Sequence, residues 1–71
     1  MRRKPVESSA ISSVGYDARS ETLEVEFRSG AVYDYFDVPR PVYESLMKAP
    51  SKGRFVSRRI RERFPFERRE S

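Results

Sequence analysis

The sequence predicts an α+β domain in which a three-stranded antiparallel sheet, wound as a meander, is followed by two helices packed on one face. Three observations lead to this fold class. Apolar and polar residues alternate from Thr22 to Arg28, which is typical of a strand with one buried face. Gly30 follows as a hairpin glycine, and two stretches with helical apolar spacing come after Pro39. With 71 residues, the chain makes one domain with a thin core.

The register of the central hairpin decides which side chains are buried. A two-residue turn would place Asp34 on the apolar face, whereas a three-residue turn with a bulge at Gly30 places Tyr33 and Tyr35 there. Burying an unpaired carboxylate is costly, so the second register is favoured, with Asp34 in water and opposite Glu24. The three strands are expected at residues 10–17, 22–28 and 31–37.

Two helices are expected in the second half of the chain. Pro41 suits the first turn of a helix, and the following apolar residues recur at helical spacing until Ala49-Pro50 ends that helix. Ser51 is the predicted N-cap of the second helix, and Pro65 ends it. The buried stripe of the second helix has residues four apart: Val56, Ile60 and Phe64. The predicted core is Leu23, Val25, Phe27, Leu46, Ile60 and Phe64.

The composition argues against catalysis and against a metal or cofactor. The chain has no histidine and no cysteine, so the commonest general base, the commonest metal ligand and any thiolate are all missing. No nucleophile stands at a spacing from a base that would form a catalytic pair. We therefore expect a non-enzymatic binding module with no catalytic residue, no metal site and no cofactor.

Charge is distributed unevenly along the chain. Residues 1–4 carry +3, residues 5–47 carry −5 and residues 48–71 carry +6, for a net charge of +4. Such asymmetry favours a basic binding surface, often one for nucleic acid. The alternative is a solvated helix face followed by a charged tail.

A set of motifs runs along the chain in order: Ser8-Ser9, Val14-Gly15-Tyr16-Asp17, Thr22-Leu23-Glu24-Val25-Glu26-Phe27, Gly30, Tyr33-Asp34-Tyr35, Val38-Pro39, Val42-Tyr43, Leu46-Met47, Ser51-Lys52-Gly53 and Phe55 to Ile60. This set resembles the KTSC domain family, named after a C-terminal extension of some lysyl-tRNA synthetases and also found as short stand-alone bacterial proteins. The central Tyr-x-Tyr is the hallmark of that family. The resemblance covers about residues 5–64 and implies the fold. Attachment to a tRNA enzyme implies RNA binding.

The exposed face of the second helix is the candidate nucleic-acid site. Phosphate contact needs arginine or lysine on one exposed surface, because affinity comes largely from counterion release. Arg54, Arg58 and Arg61 recur at positions i, i+4 and i+7, out of phase with the buried stripe. Lys52 and Arg59 lie beside them. RNA is therefore the expected partner.

Two further sites follow from the pattern. Ser51 and Gly53, with free backbone N–H groups at a helix N-terminus, could hold an anion such as phosphate, although helix capping explains them equally well. If Tyr33 and Tyr35 were exposed instead of buried, their rings could stack on RNA bases. The favoured register buries the tyrosines, so a structural role is preferred for them.

The alternative to RNA binding is a protein-interaction module. It would use the outer sheet face with Val32 and Phe36, or an edge strand open to an added strand. No stretch is apolar enough to span a bilayer, so a cytoplasmic protein without a membrane partner is expected. It is also expected to be a monomer. The predicted organisation is a flexible basic arm, the KTSC-like domain and a charged tail, at residues 1–7, 8–64 and 65–71.

Overall fold

The structure is a computed structural model that describes residues 2–69. Within these residues the chain forms five strands and two helices. The second helix, α2, continues without a break into a π-helical turn at Val56–Ile60, and α2 with this turn is called the last helix. The elements are β1 (Arg3–Pro5), β2 (Ile11–Asp17), β3 (Thr22–Phe27), β4 (Val32–Tyr35), α1 (Arg40–Lys48), α2 (Lys52–Phe55) and β5 (Phe66–Arg69).

The sheet is an antiparallel meander in the order β1-β2-β3-β4-β5. The predicted α+β class with an antiparallel sheet and two helices is confirmed, but the predicted number of three strands is wrong. The added strands, β1 and β5, form the two edges of the sheet. β1 lies in the predicted basic arm and pairs with β2, and β5 lies in the predicted tail and pairs with β4. Met1, Glu70 and Ser71, also assigned to that arm and tail, lie outside the described residues.

The predicted register of the central hairpin is confirmed. Val25 pairs with Tyr33 and Leu23 pairs with Tyr35. The turn between the strands is closed by the Phe27 N–H, which donates to the Ala31 carbonyl at 2.8 Å. Gly30 has a φ of 97°, in the region where glycine carries no steric penalty. The Tyr-x-Tyr side chains therefore point to the face of the sheet that the helices cover.

The prediction that Asp34 lies in water is wrong. Asp34 is buried on the outer face, opposite Glu24. The cause is strand β5, because Arg69 reaches the adjacent strand β4 and places its Nη1 atom 2.8 Å from Asp34 Oδ2. A charged, hydrogen-bonded partner is what makes a buried carboxylate tolerable.

The core lies between the sheet and the helices. Four of the six predicted core residues are fully buried, whereas Phe27 and Phe64 are half-buried and pack against the edge of the core. Tyr16 joins α1 to the sheet, since its ring stacks on Tyr43 at 4.7 Å and its hydroxyl donates to the Val38 carbonyl at 2.6 Å. The buried hydrophobic residues are Ile11, Val14, Leu23, Val25, Tyr35, Val38, Leu46, Val56 and Ile60.

The last helix begins at the predicted cap and changes its winding midway. Ser51 Oγ accepts a hydrogen bond from the Arg54 N–H at 3.4 Å, which confirms Ser51 as the N-cap. The Arg61 N–H then donates to the carbonyl of Val56, five residues earlier, at 2.8 Å. Such π-type turns are rare in proteins, and those that do occur are often found at functional sites. Neither helix of residues 2–69 has the length and apolar character that crossing a membrane requires.

Candidate nucleic-acid interface

An open groove lies on the helix-facing side of the sheet, at the end formed by β4 and β5. Its volume is about 540 Å³. The last helix covers the middle of the sheet with Val56 and Ile60, and the groove is the part of the same face beyond that helix. Four aromatic side chains from three adjacent strands line it: Phe27, Tyr33, Tyr35 and Phe66.

The aromatic rings of this groove form one connected cluster. Phe27 meets Tyr33 edge to face at 5.7 Å, and the Tyr33 and Tyr35 centroids are 6.2 Å apart. Phe66 lies 5.6 Å from Tyr33 and 6.0 Å from Tyr35. Exposure increases across the cluster, from 3% at Tyr35 to 54% at Phe66. The cluster therefore combines a buried anchor with a ring whose surface is open to a planar ligand.

Arginine side chains lie on both sides of the groove. Arg61 comes from the C-terminal end of the last helix and Arg68 from the edge strand β5. The Arg68 guanidinium carbon is 6.0 Å from the Tyr33 ring centroid, at the outer limit of a cation–π contact. Burial raises the pKa of the Tyr35 hydroxyl, the electrostatic interaction with the neighbouring Tyr33 raises it further and the charge of Arg61 lowers it. Tyr35 is therefore neutral at physiological pH and can donate a hydrogen bond.

The groove continues toward the start of the last helix. Ala10, Phe27 and Ser57 line both the groove and a neighbouring depression of about 420 Å³. That depression extends to Arg54 and to the cap residues Ser51 and Gly53. The two depressions form one surface along the side of the last helix, with arginine at each end and aromatic rings between.

The structure distributes the predicted phosphate-binding residues over more than one side of the last helix. Arg61 lies on the groove, whereas Arg58 and Arg59 border a shallow depression near Pro50, which Arg54 also lines. The Lys52 ammonium group already makes one hydrogen bond within the chain, because its Nζ donates to the Ala49 carbonyl at 3.0 Å. The predicted residues are thus close in space without forming a single row.

Three arginines of residues 2–69 are held in ion pairs, and none of these three lies on the last helix. Within residues 2–69, none of the arginines on the last helix or at its C-terminal end forms an ion pair. Arg3 pairs with Glu24, Arg40 with Glu44 and Arg69 with Asp34. The guanidinium groups of the last helix are therefore available to an external anion.

Ser51 and Gly53 have roles within the fold. Ser51 Oγ is occupied as the helix cap. A Cβ atom at Gly53 would lie 2.9 Å from the Ala10 Cβ, so glycine allows the last helix to approach the start of β2. The close packing against Ala10 therefore explains why residue 53 is a glycine, and no bound ligand is needed to explain it.

The outer face of the sheet carries a cluster of paired charges. Glu24 and Asp34 are neighbours across β3 and β4, with Arg3 on one side and Arg69 on the other. Burial raises the pKa of the Glu24 carboxyl, the hydrogen bond and charge of Asp34 raise it further, and the two arginines lower it. Asp34 Oδ1 is buried and has no donor among residues 2–69, and a proton on Glu24 would supply one. This face is internally neutralised, unlike the groove.

Comparison with known proteins places the chain in a family. The model of the KTSC domain matches residues 7–64, more than three quarters of the chain. The chain belongs to the KTSC domain family. The crystal structure of a KTSC domain protein from Yersinia pestis superposes with a TM-score of 0.94 at 39% identity, covering 97% of both chains. The family resemblance predicted from the sequence is therefore confirmed, and the match agrees with the predicted α+β class, although the sheet has five strands and not three.

Two relatives show the settings in which KTSC domain sequences similar to this chain occur. A protein of Tsukamurella paurometabola is 46% identical over 61 residues, which cover 86% of this chain and 91% of that protein. The lysine–tRNA ligase of Nostoc punctiforme is also 46% identical over 61 residues, but these make up 11% of its length. The KTSC domain is thus found both as a small protein and as a small part of a lysine–tRNA ligase.

Phe66 and Arg68, which the sequence places in the charged tail, complete an aromatic groove that was not predicted. A signal was present in the alternation of β5, where Phe66 and Arg68 face the groove and Glu67 and Arg69 face the other side. Four residues of alternation are too few to separate a strand from a tail without knowing that β4 has an open edge.

Proposed function

We propose that this KTSC domain is a non-catalytic module that binds RNA, with phosphates held by the arginines of the last helix and of the groove. One observation carries the proposal. Arg61 and Arg68 flank an open aromatic groove, and the neighbouring arginines of the last helix form no ion pair within residues 2–69. Free guanidinium groups beside aromatic rings are the recurring chemistry of nucleic-acid surfaces.

Electrostatics favour the last helix over the rest of the surface. Residues 5–47 carry −5 and residues 48–71 carry +6. The acidic side chains Glu24 and Asp34 of β3 and β4 lie on the outer face, where Arg3 and Arg69 already pair with them, so these two arginines are not free to bind a polyanion. A phosphate backbone is therefore drawn to the side that carries the last helix and β5.

The occurrence of the domain in lysine–tRNA ligases supports RNA among possible polyanions, since the substrate of such an enzyme is a tRNA. A binding role is also supported by the composition. The chain has no histidine and no cysteine, and burial raises the pKa of Tyr35 in the groove, so its hydroxyl is not activated as a nucleophile.

The test is a titration of fluorescently labelled tRNA with wild type and with the triple variant Arg54→Gln, Arg58→Gln, Arg61→Gln. All three side chains are exposed, so the Tm should stay near that of wild type. Binding should weaken, and the slope of log K against log salt should fall by about one unit for each phosphate that the variant no longer binds.

A matched control removes the same charge from the acidic part of the chain. The triple variant Arg19→Gln, Arg28→Gln, Arg40→Gln changes the three arginines of residues 5–47, all of them exposed. It should bind tRNA nearly as wild type does at moderate salt. Equal losses of affinity in the two triple variants would mean that binding follows net charge alone, and no binding by wild type at low salt would refute the proposal.

A protein partner is the second candidate function. It is favoured by the 54% exposure of Phe66 on an edge strand, where another strand can be added. Such a contact would be largely apolar and would change little with salt, in contrast to RNA binding.

A further inference from the structure

Resting on the proposed function, we infer that the groove takes unpaired bases of single-stranded RNA, stacked on Phe66 and Tyr33, with Arg61 and Arg68 on the adjoining phosphates. The last helix alone would provide only a charged surface, which any nucleic acid could use. The groove adds a means of distinguishing single strands from duplexes.

The exposure of Phe66 is the first support for a stacked base. The other rings of the cluster are buried or half-buried, and Phe66 is the large hydrophobic residue that remains exposed within residues 2–69. Its backbone pairs with Tyr35 as the edge of the sheet. A charged or small residue would protect an edge strand better than phenylalanine does. An open ring at this position favours a planar ligand.

The arrangement of charge around the rings is the second support. Arg68 lies on the same side of β5 as Phe66, and Arg61 enters the groove from the last helix. A ligand on the rings is therefore within reach of positive charge from two elements. Bases on aromatic rings with phosphates on arginines are the arrangement by which sheet surfaces bind single-stranded nucleic acid. A neutral apolar ligand would have no use for these guanidinium groups.

The state of the RNA decides whether its bases can reach the groove. In an A-form duplex the bases are stacked on one another and paired, so their faces cannot reach an aromatic floor. A duplex can contact the arginines of the last helix but cannot fill the groove. A single strand can do both, and each stacked base increases affinity by about five- to a hundredfold.

The experiment compares a single-stranded uridine dodecamer with an RNA duplex of the same strand length, using wild type and Phe66→Ala. The alanine variant should bind the single strand about five- to a hundredfold more weakly, with an unchanged salt slope, and should bind the duplex as wild type does. Phe66→Leu keeps an apolar side chain on β5 but removes the π face. It should show the same loss of affinity, which guards against an effect of Phe66→Ala on folding.

Phe66→Trp provides a direct signal of stacking. The chain contains no tryptophan, so the indole would be the sole fluorophore of its kind. It should retain wild-type affinity, and its emission should be quenched by the uridine dodecamer and not by the duplex. The inference is overturned if Phe66→Leu binds the single strand like wild type, or if duplex and single strand quench alike. In either case, if the triple arginine variant still binds RNA more weakly than wild type, the proposed function stands. If wild type binds neither RNA, the inference and the proposed function are both refuted.

Discussion

Replacing Gly53 with alanine tests how closely the last helix approaches the sheet. The new Cβ atom would lie 2.9 Å from the Ala10 Cβ, well inside the optimal separation of about 3.5–4.0 Å between carbon atoms. The helix or the start of β2 must therefore move, at a cost of about 1–3 kcal/mol. Alanine is also a better helix former than glycine by about 1 kcal/mol. The single variant should thus range from neutral to about 2 kcal/mol less stable than wild type.

A double-mutant cycle with Ala10→Gly separates the two effects. The helix-propensity gain at Gly53→Ala is present in both backgrounds and cancels, so the coupling energy measures the crowding alone, about 1–3 kcal/mol. Urea denaturation followed by circular dichroism gives the four free energies, and 1 kcal/mol corresponds to about 4–8 °C in Tm for a domain of this size. The alanine at position 53 should be tolerated once the facing methyl group is gone.

Additive effects within about 0.5 kcal/mol would refute the close approach. Gly53 would then be open to another explanation, and its predicted role in anion binding would gain support. The folded double variant also permits a separate check on that role. If Gly53 serves packing, the double variant should bind tRNA as wild type does, whereas an anion site built on glycine should be weakened.

Three further substitutions test the sheet. Tyr35→Ala should lower the free energy of unfolding by about 2–4 kcal/mol, because a nearly fully buried ring is lost, and an unchanged urea midpoint would contradict this. Tyr33→Ala should cost less, since Tyr33 is half-buried, but should weaken binding of the uridine dodecamer in the same titration. Because the pKa of Glu24 is raised in the folded protein, its contribution to stability is full below the pKa of the unfolded chain and is lost as pH rises through the folded pKa. Glu24→Gln should therefore raise Tm relative to wild type more at pH 7 than at pH 4, and equal shifts at the two pH values would contradict the assignment.

The central strands could be predicted because their signals are local. The alternation of β3 fixes its buried face, and the cost of burying Asp34 on the core side selects the register that the structure has. Both arguments use residues within one hairpin. The cap at Ser51 is likewise decided by the residue itself and by the turn that follows. For the same reason the burial of Leu23 and Val25 followed from sequence alone.

The edge strands could not be predicted because their cause is distant in the sequence. β1 and β5 are short and charged, and β5 pairs with a strand from which the two helices separate it. Nothing in Phe66–Arg69 alone distinguishes an edge strand from a charged tail. The π-helical turn was not predicted either, and Arg61, which follows it, lines the groove whereas Arg58 lines another depression. The candidate site was therefore predicted in its charge but not in its shape.

The alternation of β5 links the stability of the sheet to the composition of the groove. On the outer face, Arg69 neutralises the buried Asp34 and holds the strand against β4. On the inner face, Phe66 and Arg68 complete the groove beside Tyr33. Because neighbouring residues of a strand point to opposite faces, the interaction that fixes β5 in the sheet also presents its two groove residues. The structural and the proposed binding roles of this edge thus depend on different side chains, so each can be changed while the other is kept.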